Sequence, residues 1–437
     1  MDNAKIYKNR GRGALLASCA EAGLFRDPVV PSPDVPYARS AGRLAELRDP
    51  CRRIFSETTM KFFATLFAGL SLMAATSAFA ATPGVTDTQI VIGQSAPLTG
   101  PAAQLGIRLR MGIEAYFKQV NADGGVAGRS LKLVSLDDGY EPARAVANTK
   151  TFINGGDVFA LLGYVGTPTT LAAKPLIDQA GIPLIGPFTG AMGLRSPVDP
   201  YIFNIRASYN DETRKIVDQF LFLGLKKIAV FYQDDAYGMA GLTGVQKALA
   251  AHNLKPVATG TVKRNTVDVA GALASILPSK PDLIVEVGTY TEVAAFNQQA
   301  IAKGYGGQFA NVSFVGSEAL AKALGHEGNG VIITQVVPFP FSTVTPLVRE
   351  YQAAMNSAGH KGDYDFTSLE GYIDAKVLVQ ALRKAGKTLT RASLMDALNS
   401  MGNENLGGFT VHFSPDNHSG SDYVDTTSIT ASGGFRH

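Results

Sequence analysis

Two hydroxyl residues follow two neighbouring apolar runs in the middle of the chain, where a small anion could bind. The first run ends at Leu162 and leads through a turn with Gly163 and Gly166 to Thr167. Thr167 is a good N-cap and Pro168 suits a first helical position, so a helix is predicted to begin there. Such a helix end favours a carboxylate or phosphate. An ordinary capped helix in an α/β domain is the alternative.

The second apolar run, residues 182–185, leads to a turn that carries Phe188 and Thr189. In an open parallel sheet, ligands lie just outside the carboxyl ends of the strands. Thr189 is therefore expected beside Thr167. The two hydroxyls and the backbone amides near them would together receive the anion.

Strands and helices alternate along the chain in two blocks, one before and one after Arg206. The predicted strands are 89–93, 131–136, 159–162, 182–185, 227–232, 257–262, 282–287, 311–315 and 331–337. This alternation predicts an α/β fold with two doubly wound, Rossmann-like lobes, each with a parallel central sheet. Three further helices and two final strands follow, so the chain is expected to cross back between the lobes.

The start of the chain has the pattern of an export signal. An apolar run at 62–73 follows Met60-Lys61, and Ala78-Phe79-Ala80 fits a cleavage site. We expect a signal peptide at 60–80, initiated at Met60, and interpret 1–59 as a non-native, unstructured extension. Arg52-Arg53 offers a twin-arginine alternative. The mature protein would then be periplasmic and begin near Ala81.

The composition of the predicted mature chain argues against several function classes. Cys19 and Cys51 both precede the cleavage site, so no disulfide, thiolate nucleophile or cysteine metal site can form after it. Residues 1–80 carry 11 of the 40 Lys and Arg and 7 of the 37 Asp and Glu, which leaves a net charge of −1 and no broad basic field for nucleic acid. The histidines lack metal-ligand spacing, and a Gly-x-Ser-x-Gly elbow is absent. We therefore predict no cofactor, metal or catalytic residue.

At this point the order of motifs resembles the branched-chain amino-acid-binding proteins of bacterial ABC transporters, the Leu/Ile/Val-binding family. The motifs are APLTGP at 96–101, NADGG at 121–125, DDGYEP at 137–142, the two turns within 161–190, DAYG at 235–238 and FVGSE at 314–318. The resemblance covers residues 86–430.

The resemblance implies a type I periplasmic binding fold, in which two lobes joined by three hinge segments close on a ligand. Lobe one would comprise 86–206 and 338–408. Lobe two would comprise 207–337 and 409–430.

The resemblance also implies roles for residues of the first lobe. Thr167 matches the hydroxyl residue that grips the ligand carboxylate. Phe188 and Thr189 match a turn whose backbone carbonyl and hydroxyl meet the ammonium and the carboxylate. Leu105 stands where some members place an aromatic ring over the ligand, and Phe188 is bulky where others are small.

Three residues of the second lobe match the family's ligand contacts. Tyr237 and Tyr290 match aromatic positions, and Glu318 matches the acid that pairs with the ammonium. Their structural alternatives are interface packing for the two tyrosines and a helix-capping role for Glu318.

The predicted function is therefore that of a monomeric periplasmic solute-binding protein, not an enzyme. It would capture an amino acid, branched-chain or a related aliphatic one, and deliver it to an inner-membrane ABC permease. The departures from the family pattern leave binding or sensing of an amide, urea or aromatic carboxylate as the alternative. A sensor as the partner and a secreted α/β hydrolase are the remaining possibilities.

Overall fold

The computed structural model of the protein describes residues 82–437. The predicted N-terminal extension, signal peptide and cleavage site lie outside the described residues. Two parallel-sheet layers organise the described chain, and helices cover them. This confirms the predicted α/β class with two doubly wound lobes.

The first lobe is built on a five-stranded, all-parallel sheet with strand order β2-β1-β3-β4-β5. Its strands are β1 (Gln89–Ala96), β2 (Ser130–Asp137), β3 (Ala160–Leu162), β4 (Leu184–Ile185) and β5 (Ile202–Phe203). The helices between them are α1 (Ala103–Ala122), α2 (Pro142–Gly155) and α3 (Thr167–Ala180). All residues of β3 and β4 are buried, as expected for a sheet covered on both faces.

The second lobe is built on a seven-stranded sheet with order β14-β13-β10-β9-β8-β6-β7. The strands that precede the last crossing are β6 (Ile228–Gln233), β7 (Thr259–Val262), β8 (Leu283–Val287), β9 (Gln308–Asn311) and β10 (Ile332–Gln335). They pair in parallel. The helices that accompany them are α4 (Tyr209–Phe222), α5 (Ala236–Ala250), α6 (Ala270–Ile276), α7 (Tyr290–Ala302) and α8 (Ser317–Leu324).

The C-terminal part of the chain returns to both lobes. Its elements are α9 (Pro346–Ala358), α10 (Phe366–Ala385), α11 (Arg391–Asn399), β11 (Gly402–Asn405), β12 (Thr410–Phe413), β13 (Asp425–Ile429) and β14 (Phe435–Arg436). Strand β13 joins the second sheet antiparallel to β10, and β14 pairs with β13. The chain thus crosses between the lobes in three segments, 204–208, 336–345 and 414–424.

The β11–β12 hairpin lies against the first sheet, which differs from the predicted assignment of 409–430 to lobe two. The ring of Phe413 lies 5.4 Å from that of Phe203, and the ring of His418 stacks on Phe203 at 4.0 Å. Buried apolar contact decides this placement, because β12 pairs only with β11 and brings its inward face to β5. We therefore propose that 409–413 belongs with the first lobe, while the other boundaries stay predictions.

Helices α1 and α10 approach closely because each has a glycine at their contact. A Cβ atom on Gly112 would lie 1.8 Å from the carbonyl oxygen of Ser368, and one on Gly371 would lie 2.1 Å from that of Leu109. Neither partner is a flexible side chain, so a larger residue would force the helices apart. This packing holds α10 against the first lobe.

We expect Gly112→Ala to lower the free energy of unfolding by about 3 kcal/mol or more, because the added methyl overpacks a backbone contact. The control is Gly271→Ala in α6, where an added Cβ meets nothing within 4 Å. That change should stay within about 1 kcal/mol of wild type, on the stabilising side. Urea denaturation followed by circular dichroism measures both. Equal midpoints for the two variants would contradict the packing argument.

Candidate functional site

The first turn of the site lies between β3 and α3. Gly163 and Gly166 have φ angles of +61° and +101°, which glycine adopts without strain. Gly166 is the N-cap, so Thr167, predicted as the cap, is instead the first residue of the helix. Its hydroxyl is therefore not used to cap α3. It shares a hydrogen bond of 2.6 Å with the hydroxyl of Thr189.

The second turn follows β4 and lies directly beside the first. The amide of Gly166 donates to the carbonyl of Phe188 at 3.2 Å, and the amide of Phe188 donates to the backbone carbonyl of Tyr164 at 2.8 Å. The hydroxyl of Tyr209, at the start of α4, accepts a hydrogen bond from the hydroxyl of Thr189 at 3.3 Å. Three hydroxyls thus converge at the carboxyl ends of β3 and β4, as the sequence predicted for Thr167 and Thr189.

A cluster of aromatic rings from both lobes covers this hydroxyl group. The ring of Phe314 lies 5.3 Å from Phe188 and 6.1 Å from Tyr140 of the first lobe, and 4.6 Å from Tyr237 of the second. The ring of Tyr209 lies 5.4 Å from Tyr237. All five side chains are no more than 1% exposed. We call Tyr140, Phe188, Tyr209, Tyr237 and Phe314 the aromatic cluster.

Burial keeps the tyrosines of the aromatic cluster neutral. It raises the pKa of Tyr140 and Tyr237 well above the usual value, and the pKa of Tyr209 to about 12. Their hydroxyls are therefore hydrogen-bond donors and acceptors without charge at neutral pH.

A buried guanidinium borders the aromatic cluster. The guanidinium carbon Cζ of Arg206 lies 4.8 Å from the centroid of the Phe188 ring, over its face. Its Nη2 donates to the hydroxyl of Ser313. The carboxylates of Glu212 and Glu370 each lie 3.5 Å from it. Within residues 82–437, Nε and Nη1 have no hydrogen-bond partner. A buried guanidinium, balanced by two carboxyl groups and with two nitrogen atoms free of hydrogen bonds in the described part of the chain, therefore lies beside the aromatic wall.

A second buried arginine reaches the same turn. Nη2 of Arg195 donates to the carbonyl of Thr189 at 3.2 Å and to that of Ala207 at 3.4 Å. Burial, together with the charge of Arg206, lowers the pKa of Arg195 to about 10. The bond to Thr189 fixes the turn that presents the hydroxyl.

The structure brings Thr167, Phe188, Thr189 and Tyr237 together but places Tyr290 and Glu318 in a neighbouring cavity of about 570 Å³. The Tyr290 hydroxyl accepts from the amide of Gln104 at 3.3 Å. Gln104 and Leu105 line the same cavity. The six predicted residues thus form two groups.

Glu318 is occupied by contacts with the first lobe. Its Oε1 accepts from the amide of Phe366 at the start of α10, at 3.1 Å. Removal from water raises the pKa of Glu318 well above its usual value, and the charge of Asp365 adds to this, while Arg108 opposes it. Arg108 itself pairs with Asp365 at 2.7 Å. Glu318, which the resemblance assigned to a ligand ammonium, is therefore bonded instead to the first residue of α10, Phe366.

Sequence reasoning did not single out Tyr140, Arg206, Tyr209 or Phe314 as site residues. Tyr140 and Phe314 lie within motifs that it quoted, so their types were visible but their direction was not. In the sequence, Arg206 marked only the boundary between the two strand–helix blocks. It could have been predicted as a site residue because it is a charged residue soon after an apolar strand, where parallel sheets place ligand contacts.

Among residues 82–437, no three His, Cys, Asp or Glu side chains are grouped so that they could hold a metal ion. None of the described helices has both the length and the apolar character that crossing a membrane requires.

A family model described as "Periplasmic binding protein" matches residues 89–434. The chain belongs to the periplasmic binding protein family. The Leu/Ile/Val-binding protein homolog 7 of Brucella melitensis biotype 1 is 27% identical over 348 residues, covering 75% of this chain and 86% of the relative. The resemblance to the Leu/Ile/Val-binding family is thereby confirmed, and these homologues are solute-binding proteins.

Two solved structures of periplasmic binding proteins extend the comparison. A possible leucine/isoleucine/valine-binding protein from Rhodopirellula baltica SH 1 has a TM-score of 0.76 and 38% identity, covering 80% of this chain and 96% of its own. A substrate-binding periplasmic protein from Ralstonia solanacearum has a TM-score of 0.75 and 33% identity, covering 79% and 99%. Both support the fold assignment.

Glu370 gives this periplasmic binding protein a pH-dependent stability that we expect to measure. Burial raises the pKa of Glu370 to about 7, against the opposing charge of Arg206. The folded state therefore retains its proton where the unfolded state has lost it. The contribution of Glu370 protonation to the free energy of unfolding is complete below the unfolded pKa of about 4.5, and it is lost as the pH rises toward 7.

Glu370→Gln, which resembles the protonated acid, should gain stability relative to wild type between pH 5 and pH 8. The difference in the free energy of unfolding between the two proteins should grow by no more than about 1.4 kcal/mol per pH unit. Urea midpoints across this range measure it, and comparing the two proteins at each pH cancels the titration of other groups. A constant difference would show that Glu370 titrates normally.

Proposed function

We propose that this protein is the solute-binding component of an ABC transporter in the periplasm. It captures a carboxylate-bearing solute between its lobes and delivers it to an inner-membrane permease. The observation that carries the proposal is the buried pair of hydroxyls on Thr167 and Thr189, 2.6 Å apart at the start of α3. Membership of the family supports the class of function.

A carboxylate fits this site because donors surround it. The hydroxyls of Thr167, Thr189 and Tyr209 can each turn a proton toward an anion. The first amides of α3 add the positive end of a helix. Arg206 stands nearby with unused donors, and hydrogen bonds between charged groups are the strong ones.

Access to the site requires the lobes to separate. Thr167, Phe188, Thr189 and Tyr237 are between 0 and 1% exposed, and the aromatic cluster that covers them comes from both lobes. A solute can therefore arrive only in an open form. It drives closure to the extent that it binds the closed form more tightly.

An aliphatic, branched-chain amino acid is the first candidate solute. The names of the Brucella and Rhodopirellula proteins favour it. Glu318 would supply the negative charge that an ammonium needs. To do so, its carboxylate would exchange the amide of Phe366 for the ligand as the lobes close around it.

An aromatic carboxylate is the second candidate. The five rings of the aromatic cluster favour it, since their centroids lie 4.6–6.1 Å from one another, the separations at which a further aromatic ring would pair with them. Such a solute has no ammonium and leaves the bond between Glu318 and Phe366 intact.

We expect Thr167→Ala to weaken solute binding by about 1.5–3 kcal/mol, since it removes a hydrogen bond to a charged group. The control is Thr151→Ala on α2, where an exposed hydroxyl donates to the carbonyl of Ala147. That variant should bind as wild type does. Isothermal titration with L-leucine, L-valine and benzoate measures all three proteins. Equal affinities for Thr167→Ala and wild type would remove Thr167 from the site, and catalytic turnover of a solute would contradict the transporter role.

Glu318→Gln distinguishes the two candidate solutes. If the solute is an amino acid, the change leaves a buried ammonium without its charged partner, and binding should fall by at least about 3 kcal/mol. If the solute is an aromatic carboxylate, affinity should change little. Titration of the variant with L-leucine and with benzoate decides between them. Full-strength leucine binding by Glu318→Gln would exclude Glu318 as the partner of a ligand ammonium.

A further inference from the structure

A polar loop of the second lobe reaches across to the first lobe beside the aromatic cluster. Residues 263–266 follow β7, and residues 139–141 follow β2 of the other sheet. Nη2 of Arg264 pairs with the Glu141 carboxylate at 3.0 Å. The side-chain amide of Asn265 donates to Glu141 at 2.7 Å and to the carbonyl of Gly139 at 3.1 Å. We call Arg264 and Asn265 the clasp.

The clasp is anchored firmly on its own lobe. Nη1 of Arg264 pairs with Asp235, the N-cap of α5, at 3.0 Å. The backbone amide of Asn265 donates to Glu292 at 3.1 Å. Asn265 has a φ of +61°, a conformation that asparagine tolerates better than most residues. These contacts stay within the second lobe, so they need not break when the lobes separate.

The segment that the clasp grips is also shaped in advance. The carboxylates of Asp137 and Asp138 accept from the amides of Gly139 and Tyr140 at 2.9 and 2.8 Å. They hold Tyr140 at a φ of +62°, which is unusual for a bulky residue. Neither side of the contact therefore has to become ordered when the two meet, and that lowers the cost of forming it.

The gripped segment carries part of the candidate site. The ring of Tyr140 belongs to the aromatic cluster, and its hydroxyl accepts from Gln233 of the second lobe at 3.5 Å. The clasp itself is not among the residues that surround Thr167 and Thr189. It therefore affects ligand binding without touching the solute, and the relative position of the lobes is the direct route.

We propose that the clasp holds a fraction of the ligand-free molecules closed, and so sets solute affinity without touching the solute. This rests on the proposed function, because affinity is the property that closure controls. The measured dissociation constant equals the intrinsic one divided by the fraction of molecules in the competent form. Removing the clasp lowers that fraction and speeds solute release.

The size of the effect follows from the exposure of the pair. The side chains of Arg264 and Glu141 are 21% and 45% exposed, so the ion pair is partly screened by water. With the two bonds of Asn265 added, we expect loss of the clasp to change the closed fraction by about two- to tenfold. Screening also predicts that salt weakens the clasp.

The test uses Arg264→Ala, Glu141→Ala, the double variant and Asn265→Gly, which keeps the positive φ available. The control is Arg110→Ala, because Arg110 pairs with Glu114 at 2.7 Å within α1 and crosses no lobe boundary. Residues 82–437 contain no cysteine, so spin labels at Lys150→Cys and Lys247→Cys report the distance between α2 and α5.

Without any solute, the clasp variants should shift the distance distribution toward the open population. The double variant should shift it no further than Glu141→Ala alone, because Glu141 accepts from both clasp residues. Salt should shift the wild type in the same direction and leave the double variant unaffected. Distances that match wild type and Arg110→Ala overturn the proposal. A lower unfolding midpoint with unchanged distances also overturns it, since that is the signature of a purely structural contact.

With L-leucine as the probe, the same variants should bind about two- to tenfold more weakly, through faster dissociation. If leucine binds none of the proteins, the proposed amino-acid solute fails. The solute-free distances still decide the role of the clasp.

Discussion

One buried charge constrains how the two lobes meet. Arg206 lies in the first segment that crosses between the sheets, and it is 1% exposed. Removing a guanidinium from water is costly unless carboxylates and hydrogen-bond acceptors surround it. Glu212 of α4 and Glu370 of α10 supply the charges, one from each lobe, and Ser313 supplies an acceptor. The closed arrangement is the one in which these groups can all reach the arginine.

The carboxylate of Glu212 extends this constraint into the second sheet. It accepts from the amide of Ser313 at 2.7 Å and from the hydroxyl of Thr334 at 2.6 Å. These bonds fix the turn after β9, which carries Phe314 toward Phe188. The electrostatic requirement of Arg206 and the packing of the aromatic cluster are therefore satisfied together. A solute that pairs with Arg206 would compete for charge with groups that already position the cluster.

Polar contacts on two sides of the cluster complete the closure. The clasp joins the loop after β7 to the loop after β2, while Tyr290 and Glu318 reach the starts of α1 and α10. Exposed or partly exposed polar pairs contribute little each, so these contacts add only modestly to closure beside the buried charge and the aromatic cluster. In the proposed function the lobes must also open, and a solute shifts that equilibrium by its own differential affinity.

Local patterns in the sequence were enough to predict the class of fold and the pair of hydroxyls at the candidate site. Apolar runs that alternate with helical periods determine parallel sheets, and the ends of β3 and β4 then have to place Thr167 beside Thr189. The predicted strand at 311–315 was displaced, since β9 covers Gln308–Asn311 and a 3₁₀ turn follows at Ser313–Val315. An apolar run marks burial but does not distinguish the end of a strand from the buried turn after it.

The sequence by itself determined two α/β lobes, the crossings between them and a pair of hydroxyls at one sheet edge, because these depend on periodicity and on chain direction. Only the tertiary structure decided which side chains meet across the lobes. Glu318 and Phe366 are 48 positions apart, Arg264 and Glu141 are 123 apart, and Arg206 and Ser313 are 107 apart. No local pattern encodes such pairings, since they form only where the two sheets pack together and bring buried charges beside their partners. For the same reason, the structure placed Tyr290 and Glu318 in the neighbouring cavity and brought Phe314 into the site.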